Sequence, residues 1–385
     1  MASDVIYLDH NATTPVDPEV LAEMLPYFTE KFGNAASIDH DFGYEAKQAV
    51  DKAREQIASV INAQPDEIIF TSGATESDNI ALFGVAEKYA QKGEHIITCV
   101  TEHKAVLDSC ARLEKKGKKI TYLPVDHFGR VDPNDVLREI TPKTILISIM
   151  AANNEIGTLA PLAEIGAIAR EHNILFHTDA AQAVGHIPID VQKMNIDAMS
   201  ISAHKVYGPK GIGALYRRRS NPRVQLEPVI YGGGHEHGIR SGTLNVPSIV
   251  GFGKALLIAK QRMKKDTLQF RAWTNEMLEK FRAELGEMVV LNGHQTERLA
   301  HNLNVSLSGI ESKALIVKLK GIAISTGSAC TTASVEPSHV IMALRYGEAR
   351  AHNAIRIGVG RYNTQEHITE ATLKIIKAAQ ELSTL

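Results

Sequence analysis

Between Glu67 and Tyr216 the sequence alternates short apolar segments with longer segments of helical periodicity. Short apolar runs bounded by turn residues are typical of buried strands. Strands that alternate with helices favour a parallel sheet that carries helices on both faces. The alternation therefore predicts an α/β fold with a doubly wound, mostly parallel sheet, whose strands include residues 67–70, 95–100, 144–150, 174–178 and 196–203.

The segments outside this region predict a second, smaller unit. Before it, a helix is expected from Asp17-Pro18 to Phe28, then a polar loop over 34–43 and a helix over 44–61. After it, a long amphipathic helix over 248–285 precedes a strand at 302–307, a helix at 312–320 and a strand around Arg356. Because 385 residues exceed one ordinary core, we expect a large domain over 15–250 and a smaller α+β domain formed by 1–14 and 251–385.

The composition argues against several classes of protein, namely nucleic-acid-binding, membrane-spanning, secreted and disulfide-rich proteins. The formal net charge is -2 and charged residues make up 22% of the chain, which gives no reason to expect nucleic acid or an anionic membrane as partner. No apolar run is long enough to cross a bilayer, and the first residues lack the pattern of a secretory signal. Three scattered cysteines suit neither a disulfide framework nor a zinc site, so a reducing cytoplasm is expected.

Lys205 is the first candidate for chemistry. It follows the buried strand predicted over 196–203 and precedes the turn sequence Gly208-Pro209-Lys210-Gly211. A lysine that is held away from water loses basicity and becomes usable as a Schiff-base amine. For an arbitrary lysine, a side chain that reaches out to solvent is the commoner outcome.

A lysine amine could bind an aldehyde cofactor that bears a phosphate group and a pyridine ring, and two further features of the sequence suit such a cofactor. The segment Thr71 to Glu76 places small residues between a strand and a helix, and free N–H groups with hydroxyls at a helix start form an anion site. An ordinary capped helix start would show the same composition. Asp179 directly follows the strand predicted over 174–178. A carboxylate at that strand end would keep a pyridine nitrogen protonated.

Other polar segments leave alternatives open. Cys330 lies among small and hydroxyl residues, the composition of an exposed loop in which a thiol can reach the thiolate state. Arg356 on a strand suits a carboxylate clamp, although pairing with an acid is equally common. The sequence His235-Glu236-His237 invites a metal interpretation, but its spacing is not that of a helical zinc motif.

Taken in order, eight short motifs make the chain resemble the NifS/IscS-type cysteine desulfurases, pyridoxal-phosphate enzymes of fold type I in the class V aminotransferase superfamily. The resemblance covers essentially the whole chain. The motifs are Leu8-Asp9-His10-Asn11-Ala12-Thr13-Thr14-Pro15, Ser72-Gly73-Ala74-Thr75-Glu76-Ser77, Glu102-His103-Lys104-Ala105-Val106, Asn153-Asn154-Glu155-Ile156-Gly157, His177-Thr178-Asp179-Ala180-Ala181-Gln182, Ser202-Ala203-His204-Lys205, Arg240-Ser241-Gly242-Thr243 and Gly327-Ser328-Ala329-Cys330.

The resemblance implies a role for each matching residue. Lys205 would carry pyridoxal 5'-phosphate as a Schiff base, His103 would stack on its ring and assist proton transfer, and Cys330 would accept sulfur. The remaining cofactor contacts would be Asp179 to the ring nitrogen, Gln182 to the phenolic oxygen, and Ala74, Thr75, Ser202 and His204 to the phosphate, with Thr243 of a second subunit. The substrate contacts would be Asn154 and Arg356.

The implied reaction is removal of sulfur from L-cysteine, giving L-alanine and a persulfide on Cys330. The implied partners are a second copy of the chain and a sulfur-acceptor protein such as an iron–sulfur scaffold of the NifU/IscU type. The alternatives are a selenocysteine lyase or another class V aminotransferase-type enzyme. Cys330 distinguishes sulfur removal from transamination, because transamination needs no loop thiol. Two departures from the family pattern are Ala35, where proline is usual, and the short end of the chain at Leu385.

Overall fold

The computed structural model describes residues 5–326 and 337–384. The elements of the first part, in chain order, are β1 (Ile6–Tyr7), α1 (Pro18–Met24), α2 (Pro26–Thr29), α3 (Asp41–Ile61), β2 (Ile68–Thr71), α4 (Ala74–Lys88), β3 (His95–Cys99), α5 (Lys104–Lys115), β4 (Lys119–Leu123), α6 (Pro133–Glu139), β5 (Thr144–Ser148), α7 (Leu162–Glu171), β6 (Leu175–Asp179), β7 (Ala198–Ser202), β8 (Gly213–Arg217) and α8 (Val246–Leu285).

The second part continues with β9 (Val289–Leu291), β10 (Asn302–Leu307), α9 (Ser312–Lys318), β11 (Ile322–Ala323), α10 (His339–Ala343), α11 (Glu348–His352), β12 (Ala354–Gly358) and α12 (Gln365–Ser383). None of the helices described in these two ranges is both long enough and apolar enough to cross a membrane.

Seven strands form the central sheet, in the order β2-β8-β7-β6-β5-β3-β4. The five strands from β7 to β4 run parallel to their neighbours, whereas β8 is antiparallel to both β2 and β7. The prediction of an α/β fold with a mostly parallel sheet is confirmed. Strand β4, which the sequence did not indicate, lies at the edge, where its outer residues are partly exposed and therefore less apolar.

Alternate residues of each strand face opposite sides of the sheet, as the pleat requires. Ile69, Ile96 and Leu215 belong to the core under α4 and α5, while Phe70 and Ile97 belong to the larger core that contains α3 and the start of α8. The sheet is thus buried on both faces, which is why its strands could be recognised as continuous apolar runs.

A separate core lies around the three-stranded sheet β12-β10-β9 and helix α12. Helix α8, 40 residues long, contributes Val246 to Ala259 to the large core and Phe270 to Leu285 to this smaller one. No residue of α8 between these two groups is buried. The domain limits expected from the sequence remain a prediction.

Two predicted element limits are wrong, for local reasons. The helix expected from Asp17 to Phe28 divides at Leu25, because Pro26 has no N–H to continue the first helix and begins a second one. The loop expected over 34–43 ends early, since α3 already starts at Asp41, with His40 Nδ1 accepting a hydrogen bond from the N–H of Gly43 at 3.2 Å.

Candidate active site

A cavity of about 560 Å³ lies at the carboxyl ends of the central strands. It brings together almost every site residue expected from the sequence, namely Ala74, Thr75, His103, Asn154, Asp179, Gln182, Ser202, His204, Lys205 and Arg356. Two expected residues are not among those that line it. Thr243 is exposed elsewhere, and Cys330 lies outside the described residues.

Lys205 reaches the cavity from a short 3-10 turn, Ala203–Lys205, that directly follows β7. Its Nζ donates hydrogen bonds to the backbone carbonyls of Asn11 and Ala12, each at 2.7 Å. From behind, His186 Nε2–H donates to the carbonyl of Lys205 at 3.0 Å. The amine is therefore held by fixed backbone acceptors inside the cavity, which decides between the two interpretations of Lys205: its side chain does not extend freely into solvent.

The carbonyls that hold Lys205 belong to a segment that is bound to the same turn. Thr14 N–H and Thr14 Oγ1–H both donate to the carbonyl of His204 at 2.9 Å, and Tyr207 N–H donates to Thr14 Oγ1 at 2.8 Å. Asn11 also accepts a hydrogen bond from Gln182 Nε2 at 2.9 Å. Sequence reasoning missed the role of these carbonyls, and only the neighbouring motif at Leu8–Pro15 could have drawn attention to them.

The open start of α4 forms one end of the cavity. Its N-cap residue, Gly73, provides no side-chain cap, so the first N–H groups of the helix are left for an anion. Gly213, at the start of β8, fits closely against it, since an added Cβ there would lie 2.6 Å from Gly73 Cα. We call residues 72–75 the cradle. Its two flanking side chains are those of Ser202 and His204.

His204 is held neutral beside the cradle. Burial and the positive charges of Lys205 and Lys210 lower the pKa of His204 to about 4. Its Nδ1 lies 3.1 Å from Thr13 Oγ1. At neutral pH it can therefore donate a hydrogen bond to an anion but adds no positive charge.

The cavity is also lined by Asp179, the last residue of β6. Its carboxylate accepts a hydrogen bond from Ala181 N–H at 2.9 Å. Burial raises the pKa of Asp179, and the neighbouring His103 and Lys205 oppose that rise. Behind it, burial and the Asp179 charge raise the pKa of Asp78. Because Asp78 and Asp179 are both buried and repel each other electrostatically, at most one of them is expected to be ionised. A cation bound in the cavity would favour ionisation of Asp179.

His103 caps helix α5, and its Nδ1 accepts a hydrogen bond from Ala105 N–H at 3.1 Å. That contact leaves the proton of a neutral imidazole on Nε2. Arg356, on β12, donates from Nη1 to the carbonyl of Asn154 and from Nη2 to Asp9 Oδ1, both at 2.9 Å. These contacts orient a guanidinium that lines the cavity on the side of the smaller core.

The other cysteines are unsuited to nucleophilic chemistry. Cys99 and Cys110 are both free and buried, and burial raises the pKa of each thiol to about 12. They pack in the cores on the two faces of the sheet.

Glu236, the central residue of His235-Glu236-His237, joins the glycine-rich segment 231–243 to strand β2. Its carboxylate accepts hydrogen bonds from Arg54 Nη1 at 2.9 Å and Nη2 at 2.7 Å, and from Phe70 N–H at 2.7 Å. Further along the segment, Arg240 Nε donates to Glu76 in the first turn of α4 at 2.7 Å. The segment is thus attached to both sides of the cradle.

Comparison with known proteins adds a family and relatives. A family model described as aminotransferase class-V matches residues 6–370. A protein named cysteine desulfurase IscS from Anaeromyxobacter dehalogenans is 52% identical over 366 residues, which cover 95% of this chain and 90% of the relative. One of the same name from Rickettsia rickettsii is 50% identical over 380 residues, covering 99% of this chain and 92% of the relative.

Solved structures agree with these relatives. A NifS-like protein has a TM-score of 0.91 and 38% identity, covering 99% of this chain and all of that one. A structure titled SspA in complex with cysteine has a TM-score of 0.82 and 40% identity, covering 93% of this chain and 99% of that one.

Proposed function

The chain belongs to the aminotransferase class-V family, and from that premise we propose how the cavity around Lys205 works as the active site of a pyridoxal-phosphate-dependent cysteine desulfurase. One observation carries the assignment of residues. A partly buried lysine amine held by backbone carbonyls, a buried strand-end carboxylate and an open helix start line the same cavity.

The cavity fits the cofactor in three places. The uncapped start of α4, with Thr75, Ser202 and His204 beside it, provides N–H and O–H donors for a phosphate. Asp179, whose buried carboxylate has an N–H donor at 2.9 Å but lies next to a second acid, suits a pyridinium nitrogen. Lys205 Nζ lines the same cavity and is the amine that the aldehyde requires.

Pyridoxal phosphate supplies an electron sink for the pair released when the Cα–H bond of the substrate breaks. We propose that Lys205 Nζ takes that Cα proton, because it is the amine that the carbonyls of Asn11 and Ala12 hold in the cavity. His103 Nε2 holds or moves a proton on the ring side. Arg356, oriented by Asp9 and Asn154, binds the substrate carboxylate through a charge-assisted pair.

Sulfur then passes from L-cysteine to Cys330. The Cys330 thiolate attacks the Sγ of L-cysteine, an S–S bond forms and the Cβ–Sγ bond breaks. The electron pair of the broken bond stays on Cβ, which takes a proton, and Lys205 Nζ returns its proton to Cα, so that the products are L-alanine and a Cys330 persulfide. We propose that the persulfide sulfur passes to an acceptor protein such as an iron–sulfur scaffold of the NifU/IscU type, in a reducing cytoplasm where such thiols stay reduced.

We also propose that the active unit is a homodimer in which Thr243 completes the phosphate site of the partner subunit. Thr243 is exposed and is not among the described residues that line its own cavity, whereas the family resemblance implies that it contacts the phosphate. The segment that carries it is attached to the cradle through Arg240 and Glu236.

The reaction is tested by measuring alanine formed from L-cysteine with a thiol reductant. Wild type and Cys110→Ala, the matched thiol control, are expected to form alanine at similar rates. Cys330→Ala and Lys205→Ala are expected to lose it, and Lys205→Ala also loses the visible absorption of bound cofactor. Alanine formation by Cys330→Ala would refute transfer through that thiol.

The shared site is tested by mixing Lys205→Ala, which is expected to be inactive, with Thr243→Ala, which is expected to retain the cofactor weakly. If Thr243 acts in the partner's site, each mixed dimer contains one site with both residues intact, and mixing restores cofactor affinity and activity. If Thr243 acts within its own subunit, no intact site can form and mixing restores nothing.

A further inference from the structure

Lys210 lies on the turn between the 3-10 segment that carries Lys205 and strand β8. The turn is tightly constrained, because Gly211 has a φ of +79° and an added Cβ on Gly213 would lie 2.5 Å from the carbonyl oxygen of Ile201. The close contact between Gly213 and Gly73 fixes this turn against the cradle. Lys210 therefore lines the same cavity as the cradle although its side chain is exposed.

The other positive groups that line the cavity are bound to other partners. Lys205 Nζ donates to two backbone carbonyls, and Arg356 donates to Asp9 and to the carbonyl of Asn154. Within residues 5–326 and 337–384, no carboxylate forms an ion pair with Lys210. The ammonium group of Lys210 thus adds positive charge at the cradle end of the cavity.

The nearby side chains do not supply that charge. His204 is neutral at pH 7, because burial and the two lysines lower its pKa to about 4. Glu76, the acid in the first turn of α4, is already paired with Arg240 and accepts a hydrogen bond from Ser72 N–H at 2.9 Å. An anion in the cradle therefore meets hydroxyls, backbone N–H groups and one neutral imidazole, with Lys210 as the cation on the adjoining turn.

We propose that Lys210 supplies the positive charge that balances the phosphate group of the bound cofactor, an inference that rests on the proposed function. A phosphate monoester carries about -1.5 to -2 charges at pH 7, whereas a helix start contributes only about +0.5. A cation at the edge of the cradle reduces this imbalance without closing the cavity. Lys210 then affects the part of the binding energy that depends on the phosphate and leaves the aldehyde and ring contacts alone.

The test compares two ligands that differ only in the phosphate. Apoenzyme is titrated with pyridoxal phosphate and with pyridoxal, and binding is followed by the visible absorption of the bound aldehyde. Lys210→Gln is expected to weaken pyridoxal phosphate about 5-fold to 10-fold, the size of a partly screened charge pair, and to change pyridoxal less than 2-fold. Lys264→Gln removes the same charge from an exposed site on α8 and is expected to change neither ligand.

Two further measurements sharpen the result. Lys210→Arg keeps the charge and should restore pyridoxal phosphate affinity to within about 2-fold of wild type. Rising ionic strength should weaken pyridoxal phosphate more steeply in wild type than in Lys210→Gln, since salt screens the added charge. Equal losses for both ligands, or no loss for either, would overturn the proposal. The titration measures cofactor binding and not alanine formation. Its outcome can therefore be interpreted even if the protein proves not to be a desulfurase.

Discussion

Replacing Glu236 with glutamine should destabilise the protein by about 3 kcal/mol. The change removes the charge that faces Arg54, whose side chain is 12% exposed while that of Glu236 is 2% exposed. Breaking one partner of a buried ion pair typically costs about 3–5 kcal/mol, because the other charge stays buried without compensation. The lower end applies here, since Arg54 keeps its contact with the carbonyl of Ile68 and lies 4.6 Å from the ring centroid of Phe70.

The measurement is thermal unfolding of the apoenzyme followed by circular dichroism. With about 2–4 °C per kcal/mol for a domain of this size, the loss corresponds to a melting temperature roughly 6–12 °C lower. The matched control is Glu370→Gln, which breaks the exposed pair with Lys374, whose side chains are 53% and 46% exposed. That variant should leave the melting temperature unchanged.

A double variant separates the ion pair from a general packing defect. Arg54→Met combined with Glu236→Gln removes both charges and should recover a large part of the loss, because no buried charge is left unpaired. The reasoning would be refuted if Glu236→Gln behaved like the exposed control. It would also be refuted if the two single losses simply added in the double variant.

Three other outcomes follow from the structure. In native protein at pH 8, a thiol reagent should label one cysteine quickly, and none in Cys330→Ala, because burial raises the pKa of Cys99 and Cys110 to about 12 and keeps both protonated. Burial lowers the pKa of His186 from 6.5 to about 4, so the unfolded state binds its proton first and stability falls by about 3 kcal/mol as pH drops through that window. Because His204 and His177 also have lowered pKa values, His186→Gln should reduce, without abolishing, the fall in melting temperature between pH 6.5 and 4. Alanine at Gly213 would overlap backbone atoms of β7 and of the cradle, so it should lower cofactor affinity and melting temperature together in a titration and a melt of the same sample.

The sequence revealed most of the fold because the central strands are buried on both faces and are bounded by turn residues. It failed where the local signal was weak, at the partly exposed edge strand β4, and where a single residue divides an element, at Pro26. The composition of a segment carries no information about which distant segment will cover it.

The candidate site shows the same limit. The residue types around Lys205 indicated an aldehyde cofactor, yet the carbonyls of Asn11 and Ala12 that hold its amine lie 194 and 193 positions away in the sequence. The partners of Glu236 are likewise 182 and 166 positions away. Such contacts depend on how the sheet and the N-terminal segment come together, and a backbone carbonyl is present at every residue.

The long helix α8 limits how the two cores can move. At 1.5 Å per residue its 40 residues extend about 60 Å, and only the exposed stretch between Ala259 and Phe270 lies in neither core. Stretching a helix breaks backbone hydrogen bonds, whereas gentle curvature costs little. Displacement of one core along the helix axis is therefore opposed, so relative motion of the two cores should be a bend about this exposed stretch and not a slide along α8.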